Sequence, residues 1–369
     1  MPLETSMSRV TWSKTVAVMA LCAFAACARA ETVSWLYDVS VDIPDRSPQA
    51  RAAATREGLA TVLSRLTGLA ELPPSPTLDA ALASPERFAV RFGYQEAQRD
   101  AKPIVQLVVR YADAATLKLV KDAALPLWSA NRPKLLVWLA RDAASRAAAP
   151  GAPATDSVSD ALSTRATFRG LPIALPAEDA DPSAISDALQ RADAAHLHDI
   201  AVRAGADGML IGRIVASPAG RAHGQWRMAL FNGDDRFEID GATPEEAAAK
   251  AIDRATDQLV GQYAIAAAEG REMRLRIRGI DDFAQYEALL KYLGSLEFVE
   301  QLRVDEVERD ALHVRFTTHT RWDRFQALLA LDGRLQPTAS LSDPTSEIDC
   351  AWRAASSARG ADSRGGAGG

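Results

Sequence analysis

Hydrophobic positions along this chain change period several times, and each change marks an element. From Trp35 to Asp42 the chain alternates, Leu36 excepted: Trp35, Tyr37, Val39 and Val41 take one face, Asp38, Ser40 and Asp42 the other. That is the pattern of a half-buried strand. Beyond Pro44-Asp45-Arg46-Ser47-Pro48 the period lengthens, and Ala52, Leu59, Val62, Leu63 and Leu66 share one side of a helix over 49–66. Gly68 is placed to be its C-cap. Pro73-Pro74-Ser75-Pro76 reads as loop, Ile104–Tyr111 as a second strand and Ala114–Ala123 as a short helix. The order predicts a small α/β unit over 31–124.

A second unit is predicted over 125–268. Leu135-Leu136-Val137-Trp138-Leu139 is continuously apolar, as for an interior strand covered on both faces. The Ala/Ser/Pro/Gly-rich stretch 143–159 reads as a flexible surface insertion. Leu171–Leu175 is a short strand, Asp181-Pro182-Ser183 starts a helix, and Ala194–Ala204 is another helix. Met209–Ile214 returns as a core strand, followed by alternating segments on either side of Asn232-Gly233-Asp234-Asp235, a hairpin signal. Thr243-Pro244-Glu245-Glu246 then opens a long helix with the stripe Ile252, Ala255, Leu259 and Tyr263. This order predicts a three-layer α/β domain with an antiparallel edge.

The third unit, 271–339, reads β-α-β-β-α-β, the order of a ferredoxin-like split unit. Its strands are Met273–Ile277, Val299–Val307, Ala311–Thr317 and one beginning at Arg334, with helical faces of Phe283, Tyr286, Leu290, Leu293 and of Trp322, Phe325, Leu329. Residues 340–369 are polar and glycine-rich, which predicts a disordered tail. The fold class is α/β and α+β, in several modules.

The start of the chain changes the picture. Arg9 and Lys14 precede the apolar run Val16–Phe24, and Ala28-Arg29-Ala30 follows, as in a secretory signal peptide cleaved after Ala30. The run is shorter than the ~20 residues of a permanent span. Phe24-Ala25-Ala26-Cys27 leaves open a lipoprotein anchored through Cys27, against a soluble periplasmic product. The leader holds three basic residues and one acidic, so its loss makes the net charge of −6 more negative. That balance argues against nucleic acid or anionic lipid as partner. Cys350 is left as the lone cysteine, which excludes an intrachain disulfide, and its polar neighbours predict a stray thiol.

Candidate chemistry is sparse. His196 and His198 are two apart and so do not share a helix face, which argues against a zinc site. His223, His313 and His319 have no acids clustered beside them in sequence and read as surface or packing residues. Gly208 and Gly212 flank a strand rather than open a helix, unlike a dinucleotide loop. The pairs Asp234-Asp235 and Asp281-Asp282 sit where Asp caps turns and helices. No catalytic residue, metal ligand or cofactor is assigned. Trp35, Tyr37, Trp128 and Trp138 suit core packing, with Tyr37 and Trp128 as the residues to consider for partner binding.

Trp35-Leu36-Tyr37-Asp38-Val39, Leu63-Ser64-Arg65-Leu66-Thr67-Gly68, Leu125-Pro126-Leu127-Trp128 and Arg132–Trp138 together resemble the exported proteobacterial family of domain of unknown function 2066, over about 31–335. The middle region is similar at fold level to the TolB N-terminal domain and to curli-assembly lipoproteins. The resemblance implies a cell-envelope protein and carries over no catalytic residue. The expectation is a non-enzymatic interaction or assembly module that docks an envelope protein, through an exposed strand edge for instance. An envelope hydrolase with dispersed carboxylates and a periplasmic small-ligand binder remain the alternatives.

Overall fold

A computed structural model describes residues 31–99, 102–139, 154–176, 194–217, 220–230, 233–266, 270–338 and 347–353. The leader with Cys27 and Ala30, most of the 143–159 insertion and the helix start at Asp181 lie outside the described residues. The chain is a mixed α/β protein of several modules.

In the first unit, β1 (Glu31–Thr32) leads through a turn into β2 (Asp38–Ile43). Only the second half of the predicted alternation is strand, because Trp35 and Tyr37 lie in the turn. Val39, Val41 and Ile43 are buried, and Ser40 and Asp42 are exposed. Helix α1 (Pro48–Thr67) starts where Ser47 Oγ accepts from the Ala50 amide at 3.2 Å, with Pro48 in its first turn. It ends at Gly68, whose φ of 71° is left-handed. Leu59, Val62, Leu63 and Leu66 are fully buried along its inner stripe.

Two elements without a clear pattern follow: α2 (Pro76–Ala83) and the long β3 (Ala89–Arg99). Then come β4 (Lys102–Tyr111) and α3 (Asp113–Asp122). The sheet is antiparallel in the order β2-β4-β3, so the strand-helix-strand-helix reading is corrected by one strand and one helix. As an edge strand, β3 leaves Val90 and Phe92 exposed, and no buried stripe announces it.

In the second unit β5 (Asn131–Arg132) pairs with β1. β6 (Leu135–Leu139) runs parallel to β7 (Ile173–Ala174) and β8 (Gly208–Ala216) on either side. β9 (Ala222–Leu230) and β10 (Gly233–Gly241) complete the order β10-β9-β8-β6-β7 as the antiparallel edge. Gly233 already pairs with Leu230 inside the ladder, so Gly233, Asp234 and Asp235 of the Asn-Gly-Asp-Asp signal lie in strand. Helix α4 (Ala154–Arg169) takes up the end of the segment expected to be a flexible insertion. Helix α6 (Pro244–Tyr263) packs on α4 and on β8–β10, while α5 (Ala194–Arg203) packs on β8 and β9. Leu135, Val137 and Leu210 face the main core; Leu136, Met209 and Ile211 join Leu197 and Ala201 in a separate cluster. The layers are therefore helix, sheet, helix.

The third unit runs β11 (Arg271–Arg278), α7 (Phe283–Ser295), β12 (Glu300–Val307), β13 (Ala311–Thr318), α8 (Trp322–Asp332) and β14 (Leu335–Pro337). Asp282 caps α7 by accepting from the Gln285 amide at 2.8 Å. A further strand, β15 (Ile348–Trp352), inserts between β11 and β14, parallel to the first and antiparallel to the second. The expected disordered tail is corrected here. Ile348, Cys350 and Trp352 alternate into the core with Asp349 and Ala351 facing away, so Cys350 is a buried core residue and not a stray thiol.

Candidate binding cleft

The segment 125–132, which joins the first two units, is bound on every side. Leu127 exchanges backbone hydrogen bonds of 2.8 Å with Ile265, and the Trp128 amide donates to the Leu66 carbonyl at 2.7 Å. Arg132, with 0% exposure, donates to the carbonyls of Ser129, Gly170, Arg65 and Trp128 at 2.7–2.8 Å. From the third unit, Glu297 accepts from Ser129 Oγ at 2.6 Å and from the Ala130 amide. Arg324 donates to Gly261 and Ala264, and Lys121 pairs with Glu300.

Arg169, also with 0% exposure, ties α4 to its neighbours. It pairs with Asp253 and Asp257 of α6 at 2.6 Å and donates to the Gly68 carbonyl. Gly170 ends α4 with a φ of 72°, and a Cβ there would fall 2.4 Å from Arg132 Nη1. Only glycine fits that corner.

Beside this junction lies a cleft of about 780 Å³ between α1, β2 and α4. That is a volume typical of ligand sites, roughly 300–1,000 Å³. The Tyr111 amide donates to the Tyr37 carbonyl, so alternate backbone groups from Tyr37 on face β4. The amide and carbonyl of Ser40 therefore point the other way, into the cleft, along an edge with no paired strand among the described residues. Hydroxyls line the walls, from Thr61 and Ser64 on α1 and from Ser163, Thr164 and Thr167 on α4. Glu57 and Glu71 stand exposed at its rim, and Phe168 supplies an aromatic wall.

Arg65 forms part of the lining with only 4% exposure. Its Nε donates to the Thr167 carbonyl at 2.9 Å, and its Nη1 to the carbonyls of Asp38, Trp35 and Leu36 at 2.7–3.3 Å. Its guanidinium also lies 5.1 Å from the Trp35 ring centre. Burial lowers Arg65 to about 10 and Arg132 to about 9, so both stay cationic at neutral pH. Among the described residues neither has a carboxylate within ion-pairing distance: Asp38 pairs with Arg110 at 2.6 Å, and Asp38 and Glu297 act on Arg65 and Arg132 from farther off. The cleft can therefore offer strand-edge hydrogen bonds, hydroxyls and a cationic floor.

The residues singled out from sequence fall elsewhere. Tyr37 is buried beneath Arg110, whose guanidinium is 5.5 Å from its ring, and burial together with Glu297 raises its phenol above the ordinary range. Trp128 is fully buried under the Arg132 guanidinium. Neither lines the cleft, although both brace the junction beside it. His196 and His198 sit half-buried on α5. The reading of the other histidines as remote from acids is corrected. His223 meets Asp240 at 2.9 Å, His313 lies between Glu347 and Glu308 at 2.6 and 3.2 Å, and His319 is 3.8 Å from Glu300. Asp240 and Glu300 come from strands, Glu308 from the turn after β12 and Glu347 from the residue before β15, a grouping that no linear motif reveals. Asp234 pairs with the buried Arg227 across the β9–β10 ladder rather than serving only a turn. Among the described residues no group of His, Cys, Asp and Glu is placed to hold a metal ion.

Residues 30–129 match the model of a family described as Domain of unknown function (DUF8605). The resemblance to domain of unknown function 2066 is thereby corrected: an uncharacterised family is found, but a different one, and it lends no support to a TolB-type relationship. No curated protein matches the chain. The matched region contains α1, β2 and Arg65, and it ends at Ser129, within the segment that joins the units. No helix among the described residues is long and apolar enough to cross a membrane.

Proposed function

We propose that this chain is an exported binding module of the bacterial envelope, which holds an extended segment of a partner protein in the cleft along β2. The observation that carries the reading is the outward-facing backbone of Ser40 at the floor of a 780 Å³ cleft. A partner strand can add there by main-chain hydrogen bonds, while the hydroxyls of α1 and α4 take up its side chains. The tied junction favours this use. Buried arginines hold α1 and α4 at one separation and so keep the cleft open. Export rests on the basic, apolar and small-residue order of the leader, and the periplasm is the compartment it implies.

The test uses the full chain in its host, with a photo-crosslinking amino acid at Ser40, at Thr164 or at Gln95 on the open face of the sheet. One and the same envelope protein is expected to attach from positions 40 and 164 and not from 95. Equal attachment from 95, or none from 40 and 164, would overturn the proposal.

A further inference from the structure

Arg65 has one nitrogen of its guanidinium unspent. Among the described residues Nε and Nη1 serve four carbonyls, whereas Nη2 takes no hydrogen-bond partner and is not a fully buried atom. Since Arg65 lines the cleft, Nη2 is the donor it presents there. A buried cation without a carboxylate is costly unless something compensates it. Here the compensation is carbonyl dipoles, the Trp35 ring and the more distant Asp38 carboxylate, which Arg110 already pairs, and the Arg132 charge behind it adds to the positive potential.

We propose that Arg65 is the seat for a carboxylate of the bound segment, an inference that rests on the cleft reading above. Ser64 and Ser40 line the same cleft, and their hydroxyls are donors for the second carboxylate oxygen. The rim sets the charge. Glu57 and Glu71 repel a dianion such as phosphate more strongly than a single carboxylate, and they attract a basic residue beside it. The occupant is thus an extended peptide with one acidic group seated at Arg65 and a basic residue beside it. The acidic group is either a side chain or the C-terminus.

The experiment titrates the full isotope-labelled chain with short extended Val/Thr peptides flanked by Lys. One is capped at both ends with a central Glu, one carries Gln in its place, and one ends in a free carboxylate as its only acid. Inorganic phosphate is the comparison ion. The Glu peptide or the free-carboxylate peptide is expected to shift the Arg65 Nη and the Ser40 and Ser64 amide signals, binding about ten-fold more tightly than the Gln peptide. Whichever of the two binds tighter identifies the source. Phosphate is expected to bind more weakly than either. Because Arg65 also supports the fold, the variant is Glu57→Gln with Glu71→Gln on the exposed rim. It should bind phosphate several-fold better and the Lys flanks less well.

Glu, free-carboxylate and Gln peptides all binding equally at the Ser40 amide would overturn the carboxylate seat and leave the strand-edge reading standing. No shift at Ser40 with any peptide would overturn both. Phosphate binding unchanged in the rim variant would overturn the rim's part in the selection.

Discussion

Arg132 lies with its guanidinium 4.0 Å from the centre of the Trp128 ring while its Nη2 donates to the Trp128 carbonyl at 2.7 Å. One side chain thus grips its neighbour by both the π-face and the backbone, and with its other donors it holds α1 and the end of α4. Arg132→Leu leaves four buried carbonyls without that donor. At ~1–3 kcal/mol for each orphaned group, with some relief from water, the loss should be about 3 kcal/mol. Arg132→Lys should recover only part of it, because an ammonium cannot span the same carbonyls in one plane. Urea unfolding followed by hydrogen exchange at 128–132 and 166–171 measures both variants.

Gly170→Ala tests the same corner from the other side. The left-handed backbone alone costs an alanine about 1 kcal/mol, and its Cβ would meet Arg132 Nη1 at 2.4 Å. The variant should be destabilised by more than the strain alone, and combining it with Arg132→Leu should give less than the sum of the two losses. An additive double mutant would show that the two residues are not coupled.

His313 makes the third unit sensitive to pH. Its hydrogen bond to Glu347 is the largest cause that raises its pKa, with Glu308 adding to it. Glu306 stands opposite it on β12, and Arg276, its partner on β11, is held by Glu308 and faces Asp349. A raised folded-state pKa means that the stabilisation is complete below the unfolded value of about 6.5 and is lost as pH climbs through the folded one. Glu347 directly precedes β15, so that strand should exchange amide hydrogens faster, after correction for intrinsic rates, above neutrality than at pH 6. His313→Gln should flatten the dependence. A wild-type profile already flat from mildly acidic to mildly alkaline pH would count against this role.

The C-terminal strand gives a test by truncation. Removal of 354–369 leaves every described strand in place and serves as the reference for the longer truncation. Removal of 347–369 deletes β15, strips β14 of its only pairing among the described residues and exposes Leu275 and Ile277 along β11. The third unit should then lose its cooperative transition in circular dichroism. In the intact chain, burial pushes the Cys350 thiol up to about 12, so maleimide should label it only on unfolding.

Several elements were legible because their instructions are local. Ser47, Pro48 and Gly68 bound α1, and Thr243 with Pro244 opens α6: the Thr243 side chain accepts from the Glu246 amide, and Glu246 reaches back to the Ala242 amide. Period-two burial marks β11 and β13, and an apolar run marks β6. β15 carries the same alternation in Ile348, Cys350 and Trp352. It was hidden by the polar, glycine-rich composition around it, which is an average and says nothing of a five-residue strand.

The cleft was not legible at all. Arg65 appears in the sequence as one residue of an amphipathic helix, and nothing near it suggests that it will be desolvated, stacked on Trp35 and left with one open nitrogen. Hydrophobic period and capping residues by themselves fixed which segments coil and which extend, since those choices rest on neighbours within a few positions. The tertiary structure alone decided that β2 would be an edge, that α4 would face it, and that Arg132 would meet a carbonyl at Gly170. A buried charge reports on groups far away in the chain, because its energy is set by whatever dipoles the fold brings within a few ångströms.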